Sequence, residues 1–283
     1  MQTLKLRAPF FNHFAMSPFL ATALEAARAA DAIVRAHYRK GFAVRIKADA
    51  TPVTEVDEAA EAAVKAVLMK AFPTHGFYGE EGGKHQADSE YLWLVDPIDG
   101  TKAFVRGYPM FSTQIALMHR GELILGVSSA PCFLGDGSSG VGLGETYYAE
   151  RGQGAFQLTA QGPVRLQVSG VSALAQATLS LGNLATLAAS PSWPKLGALI
   201  PQLHRIRGYA DFLHYHLLAS GRVDAVVETN VNILDIAALV VIVREAGGTF
   251  TQLDGAPITL ASTSVLASHG ELHHTFQQAI AFN

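Results

Sequence analysis

Residues 93–104 read Trp-Leu-Val-Asp-Pro-Ile-Asp-Gly-Thr-Lys-Ala-Phe. The apolar run predicts a buried strand over Tyr91–Val95, and it leads straight into two aspartates, Asp96 and Asp99. Carboxylates this close at the end of a buried element repel each other unless a cation lies between them. Pro97 lacks the N–H that a ladder needs, so the strand is expected to stop at Val95. Gly100 permits a tight reversal, and Thr101 suits the N-cap of a short helix starting at Lys102. The N–H groups at such a helix end favour an anion. Taken alone, the segment reads as an Asp-Pro turn with a helix cap, and its company decides whether it is more.

Two more acidic features keep that company. Tyr78-Gly-Glu-Glu-Gly-Gly83 places Glu80 and Glu81 in a glycine-flanked loop just before the strand. Taken singly, it is a solvated acidic loop. Downstream, Asp235 precedes the apolar stretch Ile236–Val243, a core helix closed by Gly247-Gly248. Its simplest role is the N-cap of that helix.

Periodicity supplies the frame. Leu24, Ala27, Ala30, Ile33, Val34 and His37 recur at helical spacing over Ala21–Tyr38, and Val56, Ala60, Ala63, Val64, Val67 and Leu68 do so over Glu55–Ala71. Strands are predicted at Ser112–Met118, Leu123–Ser128 and Glu145–Ala149, the first two joined by the turn His119-Arg-Gly-Glu122. The second half alternates. Strands are expected at Thr178–Leu181, Ala225–Glu228 and Thr249–Gln252, and helices at Trp193–Leu203, Asp211–Ser220 and Asp235–Ala246. The pattern is an α+β half, residues 1–160, followed by an α/β half, residues 161–283.

Composition excludes several classes. A net charge of −3 with scattered Lys and Arg offers no footprint for nucleic acid. The one cysteine, Cys132, rules out an intrachain disulfide framework and points to a reducing cytoplasm. Lys5, Arg7, Pro9 and Pro18 interrupt any signal-peptide core, and Ile236–Val243 is far too short to span a membrane.

Glu80-Glu81, Asp96-Pro-Ile-Asp-Gly-Thr101 and Asp235-Ile-Ala-Ala with Glu245-Ala-Gly-Gly248 together resemble the inositol-monophosphatase-like family of magnesium-dependent, lithium-sensitive phosphatases. The connector Thr51-Pro-Val-Thr-Glu-Val-Asp57 matches too, and the likeness covers roughly residues 20–255. Leu234 stands where many members carry Trp, a difference in packing rather than in ligand chemistry. The resemblance implies a layered α-β-α-β-α sandwich and a homodimer. It implies that Glu80 (rather than Glu81), Asp96, Asp99, the Ile98 carbonyl and Asp235 hold two or three Mg²⁺ ions, with Li⁺ inhibiting. It also implies that Thr101 and Asp57, with Glu80, act on the attacking water and that Gly100 and Thr101 meet the phosphate. The chemistry agrees: a phosphate dianion would be repelled by an all-carboxylate pocket without metal.

Arg205-Ile-Arg-Gly-Tyr-Ala-Asp-Phe212 and Asp99-Gly-Thr-Lys-Ala-Phe-Val-Arg-Gly107 look like the histidinol-phosphate phosphatases of that family. Asp211 and Glu228 would then pair with the ammonium and imidazole of L-histidinol phosphate. Asp211 also reads as the cap of a helix starting at Phe212. Inositol-1-phosphate and 3′-phosphoadenosine-5′-phosphate are the rival substrates, and a non-catalytic protein-binding module is the rival class. Gly135-Asp-Gly-Ser-Ser-Gly140 matches a dinucleotide fingerprint in letters only, because strand-like residues follow it. No role is assigned to the 11 histidines: His214 and His216 face different ways on a helix, and His269, His273 and His274 are expected on a surface helix.

Overall fold

The structure, a computed structural model, describes residues 16–46, 52–133 and 144–280. Ser17 accepts the Leu20 N–H and Pro18 takes the first position, so helix α1 (Pro18–His37) starts three residues before the predicted Ala21. A short antiparallel pair, β1 (Val44–Ile46) and β2 (Pro52–Thr54), leads to α2 (Glu55–Ala71), which spans the predicted residues. The small side chains Ala23, Ala27, Ala30 and Ala60 are buried in the core that these two helices share.

An eight-stranded sheet follows. It contains β3 (Gly76–Gly79), β4 (Gly83–His85), β5 (Tyr91–Asp99), β6 (Ser112–His119), β7 (Glu122–Ala130), β8 (Glu145–Glu150), β9 (Gly154–Thr159) and β10 (Gly162–Arg165). A short helix, α3 (Thr101–Val105), sits between β5 and β6. The order is β10-β9-β8-β7-β6-β5-β3-β4, and only the β3–β5 pair is parallel. The β6–β7 connection is the predicted two-residue turn, with Arg120 and Gly121 at φ 50° and 84°.

The second sheet interleaves strands and helices: β11 (Thr178–Leu181), α4 (Leu184–Ala189), α5 (Trp193–Leu199), β12 (Arg205–Arg207), α6 (Asp211–Ala219), β13 (Ala225–Thr229), α7 (Ile233–Glu245), β14 (Gly248–Thr251), β15 (Ser264–His269) and α8 (Gly270–Ile280). Its order is β12-β11-β13-β15-β14, with β11 parallel to both neighbours. The predicted helix over Trp193–Leu203 ends at Leu199 and tightens into a 3₁₀ turn at Ile200–Gln202.

Strand alternation assigns the layers. Trp93 and Val95 of β5 pack beneath α1 and α2, while Leu92 and Leu94 face α6 and α7. Val226, Val265 and Ala267 of the second sheet face the same two helices, and its Leu179, Val227 and Leu266 pack on α5 and α8. The result is the five-layer α-β-α-β-α sandwich. Helix α7 lies between the sheets, which is why Ile236–Val243 is buried all round. It approaches β7 so closely that a Cβ on Gly126 would stand 2.2 Å from the Ala238 carbonyl oxygen.

Several expectations change here. The apolar strand does not stop at Val95: β5 continues to Asp99. His273 is not a surface residue but is buried, hydrogen-bonded to Thr251 and Ser268. His269 belongs to β15 rather than to a helix. The Gly135–Gly140 segment lies outside the described residues. No helix among the described residues is long and apolar enough to cross a membrane.

Candidate active site

The site begins with a fault in β5. Asp96 pairs with Gln114 of β6 and Asp99 with Ser112, so three steps on one strand oppose two on the other. This is a β-bulge, and it shows why Pro97 is tolerated: the residue with no N–H falls where the ladder is already broken. The extra residue also shifts the phase of the side chains. In a regular strand positions 96 and 99 would face opposite sides; here Ile98 packs with Trp93 and Val95, and Asp99 joins Asp96 on the α7 side.

Asp235 meets them there. Asn232, not Asp235, caps α7 by accepting the Leu234 N–H, and Asp235 sits at the third helical position with Oδ2 accepting the Asn232 N–H at 2.8 Å. This is a capping box, and it fixes the carboxylate against its own helix end. Asp96, Asp99 and Asp235 each offer an oxygen within 4.8 Å of the others. Burial drives the Asp96 carboxyl far above its ordinary range, and the Glu80, Asp99 and Asp235 charges push the same way. Asp99 behaves alike, and Asp235 is pushed up to about 7, chiefly by burial. Such a cluster of hard oxygens suits a divalent cation, because the charge each acid resists carrying is what a cation would neutralise.

The loop carrying Glu80 is clamped from α2. Glu61, buried and 5% exposed, accepts the Glu81 N–H at 2.8 Å on Oε2 and the Gly82 N–H at 2.7 Å on Oε1. Glu80 lines the cleft beside Asp96; Glu81 does not line it.

Asp57 is held by a second capping box at the start of α2. Its Oδ2 accepts the Thr54 N–H at 2.9 Å, leaving Oδ1 at 3.2 Å from the Thr101 hydroxyl. Thr101 does not cap α3 as predicted. Gly100, at φ 90°, is the cap residue, and a Cβ there would stand 2.6 Å from the Met110 carbonyl oxygen. The Thr101 hydroxyl instead lies within 3.0 Å of the Ile98 carbonyl oxygen. Burial raises the Asp57 carboxyl above its usual range despite the Thr54 and Thr101 hydrogen bonds.

The cleft around this constellation measures about 570 Å³ and includes Glu80, Asp96, Ile98, Asp99, Gly100, Thr101, Lys102 and Arg106. A second lobe of about 410 Å³ shares Asp99, Lys102, Asp211 and Asp235 with it and adds Asn183, Tyr215 and Glu228. Asp211 does not cap α6: it is the first helical residue, and Ala210 before it makes no side-chain cap. Ala210 and Asp211 adopt φ 57° and 47°, a left-handed pair that only surrounding packing can maintain. Burial, and then the Glu228 charge, raise the Asp211 carboxyl to about 6. Every sequence-proposed site residue except Asp57 and Glu228 lines the first cleft; Asp57 reaches it through Thr101, and Glu228 lines the second lobe.

Glu61, Thr54, Asn232, His214 and Tyr215 are site residues to which the sequence reading gives no role. Thr54-Glu-Val-Asp57 and Asn232-Ile-Leu-Asp235 carry the capping spacing, and Glu61 falls one turn after Asp57 on the inward face of α2. Those signals were visible. Nothing in the sequence marked His214 or Tyr215.

The sequence profile of the inositol monophosphatase family matches residues 15–282. Over 256 residues the chain is 39% identical to a histidinol-phosphatase of Mycobacterium tuberculosis, covering 90% of this chain and 94% of that one. It is 32% identical to an inositol-1-monophosphatase of Mesorhizobium japonicum, covering 84% and 85%. Among solved structures, the extragenic suppressor protein SuhB of Bartonella henselae superposes with a TM-score of 0.81 at 28% identity, covering 94% of this chain and 99% of its own.

Proposed function

Because the chain belongs to the inositol monophosphatase family, we propose that this phosphoric monoester hydrolase acts on L-histidinol phosphate, releasing L-histidinol and phosphate. The observation that carries the choice is the acidic second lobe: Asp211 and Glu228 line it within Coulomb range of each other. An uncharged polyol gains little from two buried carboxylates, whereas an ammonium and an imidazole neutralise both. The relative from Mycobacterium tuberculosis named a histidinol-phosphatase supports the same reading.

In this reading residues 1–160 supply Asp57, Glu80, Asp96, Asp99 and Thr101, and residues 161–283 supply Asp211, Glu228 and Asp235. Glu80, Asp96, Asp99, the Ile98 carbonyl and Asp235 would hold two or three Mg²⁺ ions, and Li⁺ would inhibit. Bound there, Mg²⁺ supplies the positive field that draws in the phosphate dianion and acidifies a water. Thr101 and Asp57 then handle the proton. With its hydroxyl hydrogen directed at Asp57 Oδ1, Thr101 presents oxygen lone pairs that accept one hydrogen of the attacking water. Burial increases the affinity of Asp57 for that proton, and its own capping box keeps it in place. Glu80 accepts the second hydrogen. The backbone N–H groups of Gly100 and Thr101 hold phosphate oxygens. A homodimer in the cytoplasm completes the proposal.

Phosphate release measured with Mg²⁺ on histidinol phosphate, inositol-1-phosphate and 3′-phosphoadenosine-5′-phosphate tests it. Histidinol phosphate should give the highest kcat/KM. Preference for either rival would replace the substrate, and no hydrolysis of any would favour the protein-binding module.

A further inference from the structure

What holds Glu228 in place comes from α6. The Tyr215 hydroxyl donates to Glu228 Oε2 at 2.6 Å, and His214 Nε2 reaches the same oxygen at 3.1 Å. Both side chains are fully enclosed, His214 at 0% and Tyr215 at 1% exposure. His214 Nε2 faces a carboxylate oxygen, so it must carry the hydrogen. The other ring nitrogen, Nδ1, stands 3.4 Å from Ser180 Oγ, which accepts the Tyr209 N–H at 3.3 Å and so has its own hydrogen to turn toward the ring. Tyr209, Ser180 and His214 form a directed chain of donors that ends on Oε2. With Tyr215 it saturates that oxygen, and the acceptor capacity of Glu228 that remains lies on Oε1.

Position 182 secures the other side. A Cβ on Gly182 would stand 2.1 Å from Oε1, so the carboxylate can hold this orientation only above a glycine. The anchoring extends one residue further along the helix: His216 Nε2 bonds Ser128 Oγ of β7 at 2.8 Å, and its ring stacks on Tyr147 of β8 at 3.9 Å. Helix α6 is thus tied to Glu228 of the second sheet through His214 and Tyr215, and to the first sheet through His216. The left-handed pair Ala210 and Asp211 opens that same helix.

We propose that His214 and Tyr215 are positioning residues that set specificity, turning Glu228 so that its remaining oxygen meets a cationic group on the alcohol part of the ester. The proposal rests on the reading of Glu228 as a substrate contact.

The test compares kcat/KM on histidinol phosphate and on glycerol 2-phosphate, which has no cationic group, for Tyr215→Phe, His214→Leu, His214→Gln and Glu228→Gln. Each variant's unfolding midpoint is measured alongside. Tyr215→Phe and His214→Leu should each lose about tenfold more on histidinol phosphate than on glycerol 2-phosphate, mainly in KM, as expected for a loosened charge-assisted contact. His214→Gln, whose amide nitrogen can donate near the Nε2 position, should recover most of that difference. Parallel losses on both substrates, tracking a lowered midpoint, would overturn the proposal by making both side chains purely structural. Discrimination lost in Glu228→Gln but kept in the other three would overturn it while leaving Glu228 as a substrate contact. Equal losses on both substrates in Glu228→Gln would overturn the substrate reading and this proposal together. Should His214→Leu fail to fold, Tyr215→Phe, which removes one oxygen, decides.

Discussion

Glu61→Gln separates the site from the scaffold that holds it. The wild-type carboxylate accepts two backbone N–H groups, one on each oxygen, at 2.8 and 2.7 Å, in a setting 5% exposed. Glutamine offers one acceptor oxygen and one donor amide. One bond survives, and the other becomes an N–H facing an N–H. Losing a charge-assisted bond and stranding a buried donor costs about 1.5–3 kcal/mol. At about 2–4 °C per kcal/mol for a chain of this size, Tm should fall by roughly 3–12 °C. The functional consequence is separate: with the Glu81–Gly82 backbone released, Glu80 loses its fixed position, and Mg²⁺ affinity should weaken about tenfold, as for other supports of metal ligands. Calorimetric titration of Mg²⁺ without substrate, set against Glu80→Gln as a benchmark, measures that directly. A full drop in Tm with unchanged Mg²⁺ affinity would refute the reasoning, because Glu61 would then hold the loop without holding the site.

Four further expectations follow from the charges. Asp99→Asn should abolish Mg²⁺-dependent turnover while raising the metal-free Tm at pH 8, since it removes one of several repelling carboxylates; a near-normal rate would contradict the assignment. Asp235 has a folded-state pKa of about 7, above its unfolded value, so metal-free stability should fall as pH rises through 7. Added Mg²⁺ should therefore raise Tm more at pH 8 than at pH 6, and equal shifts would argue against a cation in the cluster. Asp211→Ala should lose about tenfold more on histidinol phosphate than on glycerol 2-phosphate, the size of one charge-assisted contact; equal losses would remove Asp211 from specificity. Burial raises the carboxyl of Asp31, outside the site, to about 6, and its Oδ1 has no hydrogen-bond partner among the described residues. Its stability penalty appears as pH rises from 4 through 6, so Asp31→Asn should gain about 1–2 kcal/mol at pH 8 and about half of that at pH 5, with chemical denaturation at the two pH values as the check.

Periodicity made α2 and the core of α7 readable from the sequence, because long runs with one apolar face or no polar face leave little choice. The strands β3 and β15 were not readable, since their residues gain their pairing only from distant partners. The acids of the site were legible as a set. Their arrangement was not, because it depends on a one-residue register fault that appears only when β5 and β6 are paired. Pro97 looked like the end of a strand and was the mark of a bulge. The roles of His214 and Tyr215 stayed hidden for a similar reason: helical spacing told which way each side chain points, but not that Glu228 of another element waits there.

The close approach at Gly126 bears on how this protein tolerates change. Side chains are absent where atoms of the site or its carriers need the space, among them Gly126 against α7, Gly79 against Glu61, whose carboxylate a Cβ would meet at 2.4 Å, and Gly182 against Glu228. A substitution survey scored for turnover should therefore reveal intolerant positions in two chemical classes, the acids themselves and glycines that touch no substrate. Divergence of this chain toward other esters has room in the lining of the second lobe, but not at these glycines, where even one added methyl group displaces an acid or the helix that carries one.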